Sequence, residues 1–337
     1  MLNLFEPLFD IPTAYYGALL GVGFCVYYLF EVVKVSNKTP MLVCANGPFR
    51  SFLEEHVPLV RNKFWPTLWC FESRAQTIIA SILRSRILPP IHYRRLNLIE
   101  RSYNFQTPRM YCAANSDDLS EVIEYVKKIY PHVPLAATGI SMGGLILGNY
   151  LAQQGVMARG KLKGGFLISV PWNVFAATKN TEENYFNLML NKYLASTLRK
   201  NLQRLHYSSE TGMFDVDIDT ILKSQTLREF DSHFTVKQFG YKDVEEYYSN
   251  ATIHDKLHLI DVPLLCLSAA DDPFQPLQAI PVKEISETKN VAVVVTSRGG
   301  HIGFMEGMWP VKEEQYMGKL FSQFFAALFT TGFDCQM

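Results

Sequence analysis

The stretch Pro134–Gln154, PLAATGISMGGLILGNYLAQQ, constrains what this chain can fold into more than any other. A short run of small apolar residues, Leu135 to Thr138, reads as a buried strand. A glycine-flanked turn follows, Gly139-Ile140-Ser141-Met142-Gly143-Gly144, and an apolar helix then runs to Gln154. A G-x-S-x-G turn between a strand and a helix holds its serine on a tight bend and pushes the hydroxyl outward. The glycines at 139 and 143 are expected to let strand and helix pass close together. The helix N-terminus behind Ser141 favours negative charge, and the Met142 N–H is placed to donate to an oxyanion. Ser141 is therefore a candidate nucleophile. The alternative is a plain turn that happens to contain a serine, and the strand–turn–helix context argues against it.

A serine hydroxyl needs a general base, and the base needs a carboxylate to fix its tautomer. With an elbow of this kind the carboxylate and the base follow the serine, each on a loop after a strand. Two later strand-like runs fit. Val262–Ser268 leads to Ala269-Ala270-Asp271-Asp272-Pro273, and Val291–Thr296 leads to Ser297-Arg298-Gly299-Gly300-His301. Of the eight histidines only His301 lies beyond the aspartate pair. It is the candidate base, and the two glycines before it would let its loop approach the site. Asp272 is preferred to Asp271 as the acid, because it lies further past the strand end. Asp271 is then expected to cap the turn.

The other elements form an α/β pattern. Ser116-Asp117-Asp118 starts a helix with Leu119, Val122, Ile123, Val126 and Ile129 on one face. Gly165–Val170 is a second strand. Residues 174–255 have helical runs at Tyr185–Leu205 and Val216–Phe230, which suit either a cap over an apolar pocket or an ordinary insertion. A helix from about Glu313 to Leu328 closes the chain. A short apolar run at Met41–Cys44 and helical stretches near Ser51–Val60 and Gln76–Leu83 precede the elbow. They are expected to pack on the body rather than lie on a bilayer.

Ile11–Phe30 is twenty residues without a charge, bracketed by Asp10 and Glu31. As a helix it would span about 30 Å, the thickness of a hydrocarbon core. Tyr15, Tyr16, Tyr27 and Tyr28 lie towards its ends, as interfacial aromatics do. A single membrane anchor is expected, in preference to a signal peptide or a soluble core helix. Lys34 and Lys38 after the span lean towards a cytosolic body.

The chain has 337 residues and zero formal net charge, so no basic surface points to nucleic acid. Its six cysteines have no C-x-x-C pairing, which leaves neither a disulfide framework nor a zinc site.

Several stretches carry a family resemblance: FLEEHVPLV and PTLWCFESRAQT, TPRMYCAANSDDL, GISMGGLILGNYL, REFDSHFT, CLSAADDPFQPLQAIP and TSRGGHIGFMEGMWP. Through them the chain resembles the α/β-hydrolase domain family, and within it the membrane-anchored abhydrolase-domain-containing proteins of types 1 and 3. The resemblance implies an α/β-hydrolase fold, a mostly parallel sheet with helices on both faces, a helical cap and an N-terminal anchor. It implies Ser141 as nucleophile, Asp272 as acid, His301 as base and Met142 as oxyanion donor, with no metal and no cofactor. The implied activity is hydrolysis of carboxylic esters of lipids, above all phospholipid acyl esters, on an endomembrane such as the endoplasmic reticulum. The family is described as single-pass with a lumenal body, against the charge reading, so orientation stays open. The expected divisions are 1–34 anchor, 35–93 anchor-proximal segment, 94–173 first part of the core, 174–255 cap and 256–337 second part.

The chain departs from that family in one place. Relatives carry several tens of residues, with early strands and a glycine-rich oxyanion loop, where this chain has only Arg95 to Gln106. The early strands are therefore expected to be missing, with one oxyanion donor left. Two other readings stand beside hydrolysis: a shortened, non-catalytic membrane or lipid-binding form, and an acyltransferase using the same three residues.

Overall fold

The computed structural model describes residues 12–36, 38–87, 110–208, 217–310 and 314–333. Five strands are found there: β1 Met41–Val43, β2 Ala137–Ile140, β3 Gly165–Ile168, β4 Leu264–Ala269 and β5 Val291–Thr296. They form one sheet in the order β1-β5-β4-β3-β2. From β2 to β5 the pairing is parallel, and β1 joins antiparallel to β5. Every residue of β3, β4 and β5 is buried. Continuous apolar runs of this kind mark strands covered on both faces.

The longer helices are α1 Thr13–Ser36, α2 Pro48–His56, α3 Ser73–Ile87, α4 Asp117–Ile129, α5 Met142–Gln154, α6 Val174–Glu183, α7 Tyr185–Ser208, α8 Val244–Ala251 and α9 Tyr316–Thr330, of which α4, α5 and α8 cover one face of the sheet and α2 and α9 the other. The two-residue period of the strands divides the core in two. Leu167, Val291 and Val293 face Leu147, Tyr150 and Leu151 of α5. Phe166, Ala292 and Val294 face the other way, onto Phe49 and Leu53 of α2 and Phe324 of α9. Residues 42–64 thus pack on the body, as expected, whereas residues 88–93 of the same segment lie outside the described residues.

The strand before the elbow lies two residues later than its small-residue run suggests. The expected helical run Val216–Phe230 is broken into Ile218–Leu222 and Leu227–Phe230, because Thr226 starts a new helix by accepting the Glu229 N–H. Its first residue lies outside the described residues. A π-helical turn follows at Asp231–Thr235. Asp231 is half-buried there and accepts from Thr235 Oγ1 at 2.8 Å and Tyr248 Oη at 3.2 Å. Burial pushes its carboxyl up to about 6.

The membrane-spanning anchor is not upheld. Among the described residues, no helix is long and apolar enough to cross a membrane. Helix α1 has the length, at 24 residues. However, four tyrosines, three glycines, Glu31 and Lys34 dilute its apolar content. Its Leu19, Leu20 and Phe24 are nevertheless exposed. The interval expected to lack the early strands, Arg95–Gln106, lies outside the described residues. Among those described, β2 is an edge strand of the sheet.

Candidate active site

Ser141 sits at the junction of β2 and α5 with φ 52° and ψ −120°, a strained conformation for a side-chain-bearing residue. Its backbone is fixed from both sides. Its N–H donates to the Ile168 carbonyl at 2.8 Å, and its carbonyl accepts the Gly144 N–H at 2.8 Å. The glycines that permit this bend are not the expected pair. A Cβ on Gly139 would lie 2.4 Å from the Gly143 carbonyl oxygen, and one on Gly144 would lie 3.0 Å from the Val170 side chain. A Cβ on Gly143 would meet nothing within 4 Å. Close approach is therefore made at 139 and 144.

His301 and Asp272 reach this serine from two other strand ends. His301 Nε2 is 2.8 Å from Ser141 Oγ, and His301 Nδ1 is 2.9 Å from Asp272 Oδ2. The arrangement suits a neutral imidazole that donates from Nδ1 and accepts at Nε2. Both groups are buried, with Asp272 6% and His301 9% exposed. Asp272 also caps its own turn, since its Oδ1 accepts the N–H of Phe274 at 2.8 Å and of Gln275 at 3.2 Å. Capping had been expected of Asp271. That residue instead reaches across to the other loop and accepts the Gly300 N–H at 2.9 Å. Burial pushes the Asp271 carboxyl up to about 6, against the pull of the Gly300 N–H and the Arg298 guanidinium.

The loop carrying His301 is held by residues that the sequence did not single out. Ile302 and Phe304 stand at φ 62° and 47°. Such strain persists only where surrounding contacts over-determine it. Thr77 Oγ1 of α3 accepts the His301 N–H at 2.9 Å, and Ser169 Oγ accepts that of Ile302 at 3.0 Å. Arg84, also on α3, donates to the Ile302 carbonyl and, at 2.9 Å, to that of Gly303. Gly300 makes the fit possible, since a Cβ there would lie 2.2 Å from the Ser73 carbonyl oxygen.

Ser141 and His301 open into a cavity of about 880 Å³. Helix α3 supplies one wall through Ile78 and Ile82, and α7 another through Phe186, Met189 and Leu190. The lining is mostly apolar and the volume suits a small-molecule or lipid-chain site. A second cavity, of about 640 Å³, lies at the N-terminal ends of the strands between Pro134, Pro263 and Leu328, away from Ser141. Met142 opens α5, and the first four N–H groups of a helix have no partner within it. Among the described residues no group of His, Cys, Asp and Glu could hold a metal ion.

Residues 88–308 match the family described as alpha/beta hydrolase fold. The human protein named Phospholipase ABHD3 is 33% identical, across 96% of this chain and 94% of that protein. The mouse protein of the same name is 32% identical over the same shares. A bovine protein named Monoacylglycerol lipase ABHD2 is 30% identical, over 60% of this chain and 49% of its own length. The alignment with the human protein runs over 396 positions, although this chain has 337 residues. With a mostly parallel sheet, a serine on its elbow and matches across almost its whole length, the chain belongs to the α/β-hydrolase family, in the abhydrolase-domain-containing branch that includes Phospholipase ABHD3.

Proposed function

We propose that the protein hydrolyses carboxylic esters of lipids, with phospholipid acyl esters as the substrate class. That it is a serine ester hydrolase rests on its family. The phospholipid preference is supported by the names of its most extensive relatives and by the apolar cavity beside Ser141. The single observation that carries the mechanism is His301 bonded to Ser141 on one side and Asp272 on the other.

In this mechanism Ser141 Oγ attacks the acyl carbonyl while His301 Nε2 takes its proton. Asp272 holds the ring in the tautomer that leaves Nε2 free to accept, and stabilises the imidazolium that forms. The Met142 N–H donates to the oxygen of the tetrahedral intermediate. His301 returns the proton to the leaving alcohol oxygen, and water repeats the sequence to free the fatty acid. Exposed Leu19, Leu20 and Phe24 of α1 support attachment at a membrane surface, and an endomembrane location is part of the proposal.

A second reading has its own observation. The elbow strand is at the sheet edge among the described residues, and the alignment with the human relative is longer than this chain. A form shortened before the elbow would have one oxyanion donor, at a cost of about 10²- to 10³-fold in rate. It could persist as a non-catalytic lipid-binding protein. Labelling with a fluorophosphonate probe, beside Ser141→Ala, separates the two. Label lost in Ser141→Ala, together with fatty acid released from phosphatidylcholine vesicles, supports the hydrolase. A folded chain that takes no label sinks it.

A further inference from the structure

The loop that carries His301 is tied to the N-terminal helix as well as to α3. Arg298 lies three residues before His301. Its Nη1 is 3.7 Å from Asp271 Oδ2, and its Nη2 is 3.8 Å from Glu31 Oε2 on α1. The same guanidinium lies 5.8 Å from the centroid of the Phe71 ring, which receives Tyr28 of α1 edge-on at 4.6 Å. On the far side, Asp271 accepts the Gly300 N–H. An unbroken chain of contacts thus runs from α1 to the residue before His301.

We propose that Glu31, Arg298 and Asp271 form a strap through which α1 positions the His301 loop, making all three positioning residues for the reaction. The role in catalysis rests on the hydrolase reading of Ser141 and His301, whereas the holding of the loop does not.

Three observations carry the strap. The side chains are largely enclosed, at 24% exposure for Arg298, 24% for Glu31 and 13% for Asp271. An ion pair at that depth is screened less than a surface pair. Among the described residues Asp271 Oδ2 and Arg298 Nε have no hydrogen-bond partner, and Arg298 is the nearby counter-charge for this enclosed carboxylate. The backbone it steadies turns at Gly299 and Gly300, which stand at φ 150° and 58° and have no side chains of their own to hold them, whereas Thr77, Ser169 and Arg84 hold the residues that follow. With Glu31 gone, the guanidinium loses the partner that holds it between α1 and the loop. With Arg298 gone, Asp271 loses the counter-charge that keeps it ionised, and once protonated it is a weaker acceptor for Gly300. A histidine displaced by about 1 Å loses much of its rate as a base.

The test uses the full-length chain, with Glu31→Ala, Arg298→Gln and the conservative Glu31→Asp. Turnover of a short-chain p-nitrophenyl ester gives kcat and KM separately. Hydrogen exchange of the peptide spanning residues 297–304 reads the loop without any chemistry. Glu31→Ala is expected to lower kcat about fivefold to tenfold with KM and melting temperature unchanged, and to speed exchange in that peptide. Glu31→Asp is expected to recover part of both losses. The double variant should be no worse than Arg298→Gln alone, since both cut one strap. Exchange identical to wild type in Glu31→Ala, or an unchanged kcat, overturns the proposal. If wild type itself turns over no ester and takes no fluorophosphonate, the hydrolase reading fails, and the exchange result alone decides the strap.

Discussion

Thr77 takes the backbone N–H of His301 on its hydroxyl oxygen at 2.9 Å and gives its own proton to the Ser73 carbonyl at 2.7 Å. One hydroxyl therefore joins the first turn of α3 to the backbone of the proposed base. Thr77→Val keeps the shape and removes the acceptor, leaving the His301 N–H without a partner. An unsatisfied buried donor costs about 1–3 kcal/mol. The expected result is a melt destabilised by that amount and a kcat lowered about tenfold to a hundredfold. Thr77→Ser, which keeps the oxygen, should stay within about threefold of wild type in ester turnover.

Asp272→Asn tests the orientation of the imidazole. An amide at this position can still cap the Phe274 turn through its oxygen, but it no longer stabilises the His301 tautomer that accepts from Ser141. The expected loss in kcat is about four orders of magnitude, with substrate binding little changed. Steady-state kinetics on a short-chain ester would check it. A loss below tenfold would mean that Asp272 is not the partner His301 depends on.

The half-buried Asp231 gives a prediction about pH and stability. Its folded carboxyl is pushed up to about 6 by burial, above its ordinary range. The folded state therefore binds the proton more tightly than the unfolded state. The stability this contributes is fully present below the unfolded value, about 3.9, and is lost as pH rises through about 6. Asp231→Asn removes the titration, so the variant should lose less stability than wild type between pH 4.5 and pH 7. Thermal melts of both chains at those two pH values measure the difference. Equal slopes would remove Asp231 from the account.

Two neighbouring glycines should answer differently to one extra methyl group. A Cβ at Gly139 meets the Gly143 carbonyl at 2.4 Å, so Gly139→Ala must push β2 and α5 apart. Several kcal/mol and most soluble, labelled protein should be lost. A Cβ at Gly143 meets nothing, and the residue lies in the first turn of α5. Gly143→Ala should leave the fold intact and raise the melting point by up to the worth of about 1 kcal/mol. Melting curves of the two variants, compared with wild type, decide the matter.

Much of this arrangement is local and can be read along the chain. The elbow is legible because strand, glycine turn and helix occupy consecutive residues. Asp272 and His301 are legible because each follows an apolar run that has to be a strand. What holds the loop is not legible. Thr77 and Ser169 stand 224 and 133 residues from the N–H groups they accept, and no spacing rule links them. Asp271 and Asp272 are adjacent, so the sequence could rank them as acids but could not say which caps the turn. The turn cap and the contact to His301 Nδ1 fall together on Asp272, whereas Asp271 crosses to Gly300. The anchor expected over Ile11–Phe30 rests on freedom from charge, and among the described residues no helix is long and apolar enough to cross a membrane.

The wall formed by α3 has a consequence for how the site comes into being. Residues 73–87 emerge early in synthesis, and the loop around His301 emerges near the end, yet each needs the other. Contacts this far apart are entropically the hardest to close and form late. The sheet and its two helical layers can assemble around β3, β4 and β5 before the loop meets α3. A refolding experiment should therefore recover native secondary structure in an earlier phase than reactivity at Ser141. Early in refolding the chain would be compact but not yet competent, and the last event would be the closing of its two ends around one histidine.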